Sequence, residues 1–246
     1  MKNGAGTASL TAELMTLLLI LCLLPCAALG DGGPGSASLW LHMGLLGPER
    51  IALSEEGKID RIPVGTEPNK YCVLDLTDLV FIDPVGTGYS RAMPGTDEKT
   101  FFTYENDIQS VGDFIRLYTS RYGRWASPKY VAGESYGTTR AIGLCDYLRS
   151  AHKLALNGIM LVSSINDFAS IETTAGNELP YVNFLPSFAA AAWYHKKADG
   201  KYLAMELNEE LQDNLSFTYY PSGHMFYLHE PSMAQFRQDA EAWYGN

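Results

Sequence analysis

Cysteine is scarce, and its placement excludes a disulfide-stapled fold. Of four in 246 residues, Cys22 and Cys26 sit in an apolar N-terminal stretch, leaving Cys72 and Cys145 for the remainder. Two thiols cannot build a disulfide framework. Clusters of positive charge are missing as well. Eighteen basic against 28 acidic side chains give a net charge of −10, and no Lys/Arg run interrupts it, so nucleic acid is not an expected partner. There is no His/Cys spacing of the kind that holds zinc and no His-Glu-x-x-His motif, so neither a metal nor another cofactor is expected. Repeats and low-complexity tracts are absent. The apolar run from Leu14 to Leu24 is shorter than the roughly 20 residues a bilayer crossing needs, which argues against a stable membrane span.

What the chain does contain is enough apolar side chain, 46% of residues, for one substantial core. At the N-terminus, Lys2, the apolar run and the small-residue stretch Cys26-Ala-Ala-Leu-Gly30 resemble a secretory signal peptide. Residues 1–30 are therefore read as a leader with cleavage near Ala28 or Gly30, which places the protein in a secreted or periplasmic location. The same run also fits a buried strand leading into the glycine-rich turn that follows. Residues 31–246 are expected to form a single domain, and Asn214-Leu-Ser216 fits a glycosylation sequon.

Along that domain, Asp31-Gly-Gly-Pro-Gly-Ser36 is a turn and Ala37–Gly44 a short helix. Residues 50–70 read as a loop. Leu79-Val-Phe-Ile82 is strand-like, and Ile108, Val111, Ile115 and Tyr118 mark one face of a helix. Pro128–Ala132 predicts another strand, Ala141 to Leu148 a helix, and Ile159–Ser163 a third strand. Residues 181–198 are aromatic, Ala-rich and lid-like, with helical character. Leu215, Phe217 and Tyr219 alternate as a strand, Pro221-Ser-Gly-His224 turns, and Ser232–Tyr244 suits a final helix. Alternating strands and helices predict an α/β fold with a mostly parallel sheet.

The chemistry concentrates at Val131-Ala-Gly-Glu-Ser-Tyr-Gly-Thr138, where Gly133-x-Ser135-x-Gly137 falls between a strand and a helix. That context predicts a nucleophile elbow, a sharp turn that lifts the serine clear of its neighbours. Acyl transfer needs a base beside the nucleophile and donors for the oxyanion. Five histidines are available. His152 and His195 lie beside lysines on helix-like segments, His42 follows the Gly-Gly turn, and His229 trails His224. His224 follows a C-terminal strand, the place that the chain order serine, acid, histidine assigns to the base. The oxyanion donors would be the Tyr136 N–H and an N–H of the Gly32-Gly33 turn.

These residues carry a resemblance. Asp31-Gly-Gly-Pro-Gly-Ser36, Phe81-Ile-Asp-Pro-Val-Gly-Thr-Gly-Tyr-Ser90, Gly133-Glu-Ser-Tyr-Gly137 and Ser222-Gly-His-Met225, in this order, resemble the serine carboxypeptidase family. The resemblance implies an α/β-hydrolase that removes C-terminal residues from peptides. Ser135 would be its nucleophile, His224 its base, and Gly33 and Tyr136 its oxyanion donors. Asp31, Gly32 and Glu134 would contact the substrate's terminal carboxylate, with Glu134 sharing a proton with it.

Four departures stand beside the likeness. The family's strand before the Gly-Gly turn is not read here, where the leader runs into Asp31. The family's Asn at that position is Asp31, and Leu45 replaces a second recognition glutamate. The Gly-x-x-Asp that bears the family's catalytic acid is missing after Gly143. Asp199 and Asp213 lie in polar sequence, and Asp167, just past the third strand, is the possible substitute acid. Losing the acid of a triad costs about 10⁴-fold in turnover, so weak activity is expected. The alternatives are a catalytically inactive peptide-binding remnant and an esterase or acyltransferase on the same scaffold.

Overall fold

The structure is a computed structural model and describes residues 18–22, 35–54, 57–59, 62–197 and 218–244. It divides into two compact units, one running to Ser164 and resuming at Ser222, the other Ile165–Pro221.

The first unit is built on a four-stranded parallel sheet in the order β4-β1-β5-β6. Its strands are β1 (Leu18–Cys22), β4 (Asp78–Ile82), β5 (Lys129–Glu134) and β6 (Gly158–Val162). β5 lies in register between β1 and β6, pairing Val131 with Ile20 on one side and with Ile159 on the other. Helices α1 (Tyr104–Arg121) and α2 (Tyr136–His152) supply the crossovers. A parallel sheet is covered by helices on its faces, and successive residues of a strand face opposite ways. Val131, fully buried, joins Ile82, Ile108, Val111, Ile115, Ala141, Leu144 and Leu148 in the core under α1 and α2. Its neighbour Tyr130 turns the other way and meets Trp243 of α4 (Glu230–Tyr244) edge-on at 5.0 Å. The helix faces match those read from the periodicity of residues 108–118 and 141–148.

Within the N-terminal apolar run, residues 18–22 form a strand. This strand, β1, lies in the middle of the sheet, as the alternative strand reading of this run allows. Cleavage near Ala28 or Gly30 would remove it. A run of Leu and Ile suits a signal peptide and a central strand of a parallel sheet equally well. Residues 50–70 depart from the expected loop. They contain a short antiparallel pair, β2 (Glu49–Ile51) with β3 (Thr66–Pro68). Buried Arg50 links this pair to α4 through Glu230 at 3.3 Å. A three-residue strand is too short to leave an alternation in the sequence.

The second unit, where the sequence reading has one domain throughout, contains α3 (Leu179–Tyr194) and a 3₁₀ turn at Phe168–Ser170. Asn183 Nδ2 donates to the Ser170 carbonyl at 3.2 Å and holds the two together. No helix among the described residues is long and apolar enough to cross a membrane.

Candidate active site

Ser135 links β5 directly to α2 and adopts φ 55°, ψ −123°. A non-glycine residue at positive φ is strained, and such strain persists where the surroundings over-determine it. Those surroundings are visible. The Ser135 N–H donates to the Val162 carbonyl at 3.0 Å, extending the β5–β6 ladder into the turn. Its carbonyl accepts from the Thr138 N–H at 3.0 Å and from the Thr138 hydroxyl at 2.6 Å. At Gly133 an added Cβ would lie 2.1 Å from the Gly137 carbonyl oxygen, so the helix starts against bare backbone. The expected strand-to-helix elbow is therefore present, with Gly133 required by close approach.

Tyr136 is the first residue of α2, at the positive end of the helix dipole. Its ring is buried, and its hydroxyl donates to Asp107 Oδ2 at 3.3 Å. The Asp107 carboxylate is shared with fully buried Arg140, whose Nε and Nη2 donate at 2.6 and 2.9 Å. This paired charge fastens α1 to the first turns of α2 and so braces the residue beside the serine.

His224 lies in the bend that leads to the 3₁₀ turn Phe226–Leu228. The bend is anchored to the sheet where β6 ends, because the Ser163 hydroxyl donates to the His224 carbonyl at 2.5 Å. Ser163 itself has φ 51°. Partial burial lowers the pKa of His224 below its usual 6.5 and favours the neutral imidazole. Its Nε2 stands 4.0 Å from Glu134 Oε1, too far for a hydrogen bond but at the limit of an ion pair should both groups be charged.

Glu134 is fully buried, and desolvation pushes its carboxyl up from 4.5 to about 7. The Tyr227 hydroxyl donates to it, 3.0 Å from Oε1 and 3.1 Å from Oε2, and favours the ionised form. Sequence reasoning missed Tyr227. The available signal was an aromatic pair, Phe226-Tyr227, two and three residues past the histidine. It reads as core packing, and Tyr227 is indeed fully buried. Sequence reasoning likewise missed Ser163, because a hydroxyl at a strand end shows no periodicity.

Asp31, Gly32 and Gly33, and the polar candidates Asp199 and Asp213, lie outside the described residues, as does the sequon at Asn214. Asp167 caps the Phe168–Ser170 turn, accepting from the Ala169 N–H at 2.9 Å. Leu45 is fully buried in the first unit. The remaining histidines have structural partners. His42 stacks on Phe81 at 4.2 Å, His152 meets Asp113 at 2.7 Å, and His229 meets the Ser232 hydroxyl at 2.7 Å. His195 caps α3. Among the described residues no group of three His, Cys, Asp or Glu side chains is placed to hold a metal.

Comparison with known proteins bears on this geometry. One similar solved structure is that of Kex1Δp, a prohormone-processing carboxypeptidase from Saccharomyces cerevisiae, at 18% identity and a TM-score of 0.45. The similarity covers 76% of this chain and 36% of that one, so the chain spans little more than a third of its length. No curated protein matches. The family model for serine carboxypeptidases matches residues 31–172, a span that includes the elbow and the 3₁₀ turn after Asp167. The chain belongs to the serine carboxypeptidase family.

Proposed function

We propose that this chain is a serine-type carboxypeptidase-like hydrolase that removes C-terminal residues from peptides through an acyl-enzyme on Ser135. The observation that carries the proposal is the strained Ser135 backbone at the β5–α2 junction, in a chain whose His224 loop is tied to the end of neighbouring β6.

In this reading the Ser135 oxygen attacks the terminal peptide carbonyl while His224 takes its proton. N–H groups of Tyr136 and Gly33 receive the oxyanion. The imidazolium then protonates the leaving amine, and water, deprotonated by the same histidine, releases the acyl group. Asp31, Gly32 and Glu134 read the substrate's terminal carboxylate. A carboxyl with a pKa of about 7 supports the last role, since in its protonated form it can donate to a carboxylate. Asp167 is the acid that the sequence offers, although its carboxylate already serves its own turn. Secretion is part of the same proposal, and mass analysis of secreted protein tests it by showing whether β1 is retained.

The test is covalent labelling of the full-length protein with a fluorophosphonate, read by intact mass, with Ser135→Ala as control. Stoichiometric labelling that the variant abolishes is the expected outcome. Absence of labelling on folded protein would leave a peptide-binding remnant as the better reading. Ester turnover without peptide turnover would favour an esterase or acyltransferase.

A further inference from the structure

We propose that Tyr227 is a positioning residue of this site, and that the carboxylate it holds, Glu134, counters the charge His224 acquires when it takes the Ser135 proton. The inference rests on the hydrolase reading above and assigns the ionised form of Glu134 a part in proton transfer whenever no substrate carboxylate holds it protonated.

Three observations carry it. The two hydrogen-bond lengths from the Tyr227 hydroxyl, 3.0 and 3.1 Å, are nearly equal, so the donor straddles the carboxylate and fixes its plane. The phenol ring is itself immobilised. It is fully buried and lies against the short π-helix Leu41–Leu46 at Gly44, where an added Cβ would meet the ring at 2.9 Å. The carboxylate so fixed presents Oε1 to His224 Nε2 at 4.0 Å. Among the described residues, Tyr227 and His224 are the titratable groups placed at Glu134. Tyr227 comes from the turn after the histidine, and His224 from the bend before that turn. With no Gly-x-x-Asp after Gly143, this is a carboxylate the fold itself brings to the imidazole.

Burial favours neutral His224 and raises Glu134 to about 7, so near neutral pH the resting pair carries little charge separation. When the serine proton moves to the histidine, an ionised Glu134 becomes its counter-charge. The Tyr227 hydrogen bond keeps that ionised form accessible.

A fluorophosphonate separates this role from substrate recognition, because the probe has no carboxylate for Glu134 to read. In the labelling step the Ser135 oxygen bonds to phosphorus, the phosphorus–fluorine bond breaks, fluoride leaves, and the proton passes to His224. On the full chain at pH 7, Glu134→Gln is expected to slow labelling by about 10- to 1,000-fold, the span set by a pair near 4 Å in a partly buried site. Tyr227→Phe should slow it several-fold and displace the acidic limb of its pH profile upward, since losing the donor disfavours the carboxylate. Gly44→Ala, which pushes the ring, should act in the same direction as Tyr227→Phe. A merely structural role for Tyr227 would lower stability without moving the pH limb.

Histidine NMR titration gives a readout that needs no catalysis. The His224 midpoint, assigned with His224→Gln, should fall in both Glu134→Gln and Tyr227→Phe. Labelling by Glu134→Gln at the wild-type rate would overturn the proposal, as would a His224 midpoint unchanged in both variants. If the wild-type protein is not labelled, it is the hydrolase reading that fails, and the NMR midpoint alone decides the array.

Discussion

At the residue scale, Glu134 joins the site to the stability of the protein. A carboxyl whose pKa rises on folding lends stability below its unfolded pKa and withdraws it as pH climbs through the folded one. For Glu134 those limits are 4.5 and about 7, so the folded state weakens across that window by about 3 kcal/mol from this group alone. His224 acts the other way. Its lowered pKa makes the folded state less favourable as pH falls below 6.5. The expected decline in stability between pH 5 and pH 8 should therefore flatten in Glu134→Gln, measured by urea denaturation at each pH. An equal decline in wild type and variant would mean that this carboxyl is not buried as described.

At the scale of elements, the charge pair between α1 and α2 governs how rigidly the elbow is mounted. Asp107 is 1% exposed and Arg140 fully buried, with two hydrogen bonds between them. Removing one partner from such a pair leaves a desolvated charge and costs about 3–5 kcal/mol, whereas replacing both with apolar side chains of similar volume is often neutral. Asp107→Leu should lower stability by about that amount, and adding Arg140→Met should restore most of it. If the double variant is as stable as wild type yet labels more slowly at Ser135, the pair serves the geometry of Tyr136 and the serine. None of this was legible beforehand. Asp107 reads as an ordinary charge in the first turn of a helix, and Arg140 as one near the start of another. Their meeting depends on the packing of α1 against α2.

At the scale of the whole molecule, the consequential element is β1. It pairs with β4 on one side and β5 on the other, so the sheet has no continuous ladder without it. Removing residues 1–30 would strip partners from buried backbone groups on both neighbours, at about 1–3 kcal/mol for each group left unsatisfied. Several such groups exceed the 5–15 kcal/mol by which a domain is ordinarily stable. A protein comprising residues 31–246 should lose cooperative thermal unfolding and near-UV circular dichroism. A cooperative transition equal to that of the full chain would show that β4 and β5 can close on each other.

The sequence by itself determined the α/β alternation, the helix faces around Ile108–Ile115 and Ala141–Leu148, and the sharp strand-to-helix turn at Ser135. Each of these depends on local spacing or on which residue types tolerate a sharp turn. Tertiary structure alone decided that residues 18–22 form a central strand, that Glu134 faces both Tyr227 and His224, and that Ser163 fastens the histidine loop. The reason is one of range. Turns and amphipathic faces are set by neighbours a few residues apart, whereas pairing partners and the surroundings of a buried carboxylate come from segments 61 or 93 residues away, as Ser163 to His224 and Glu134 to Tyr227 are.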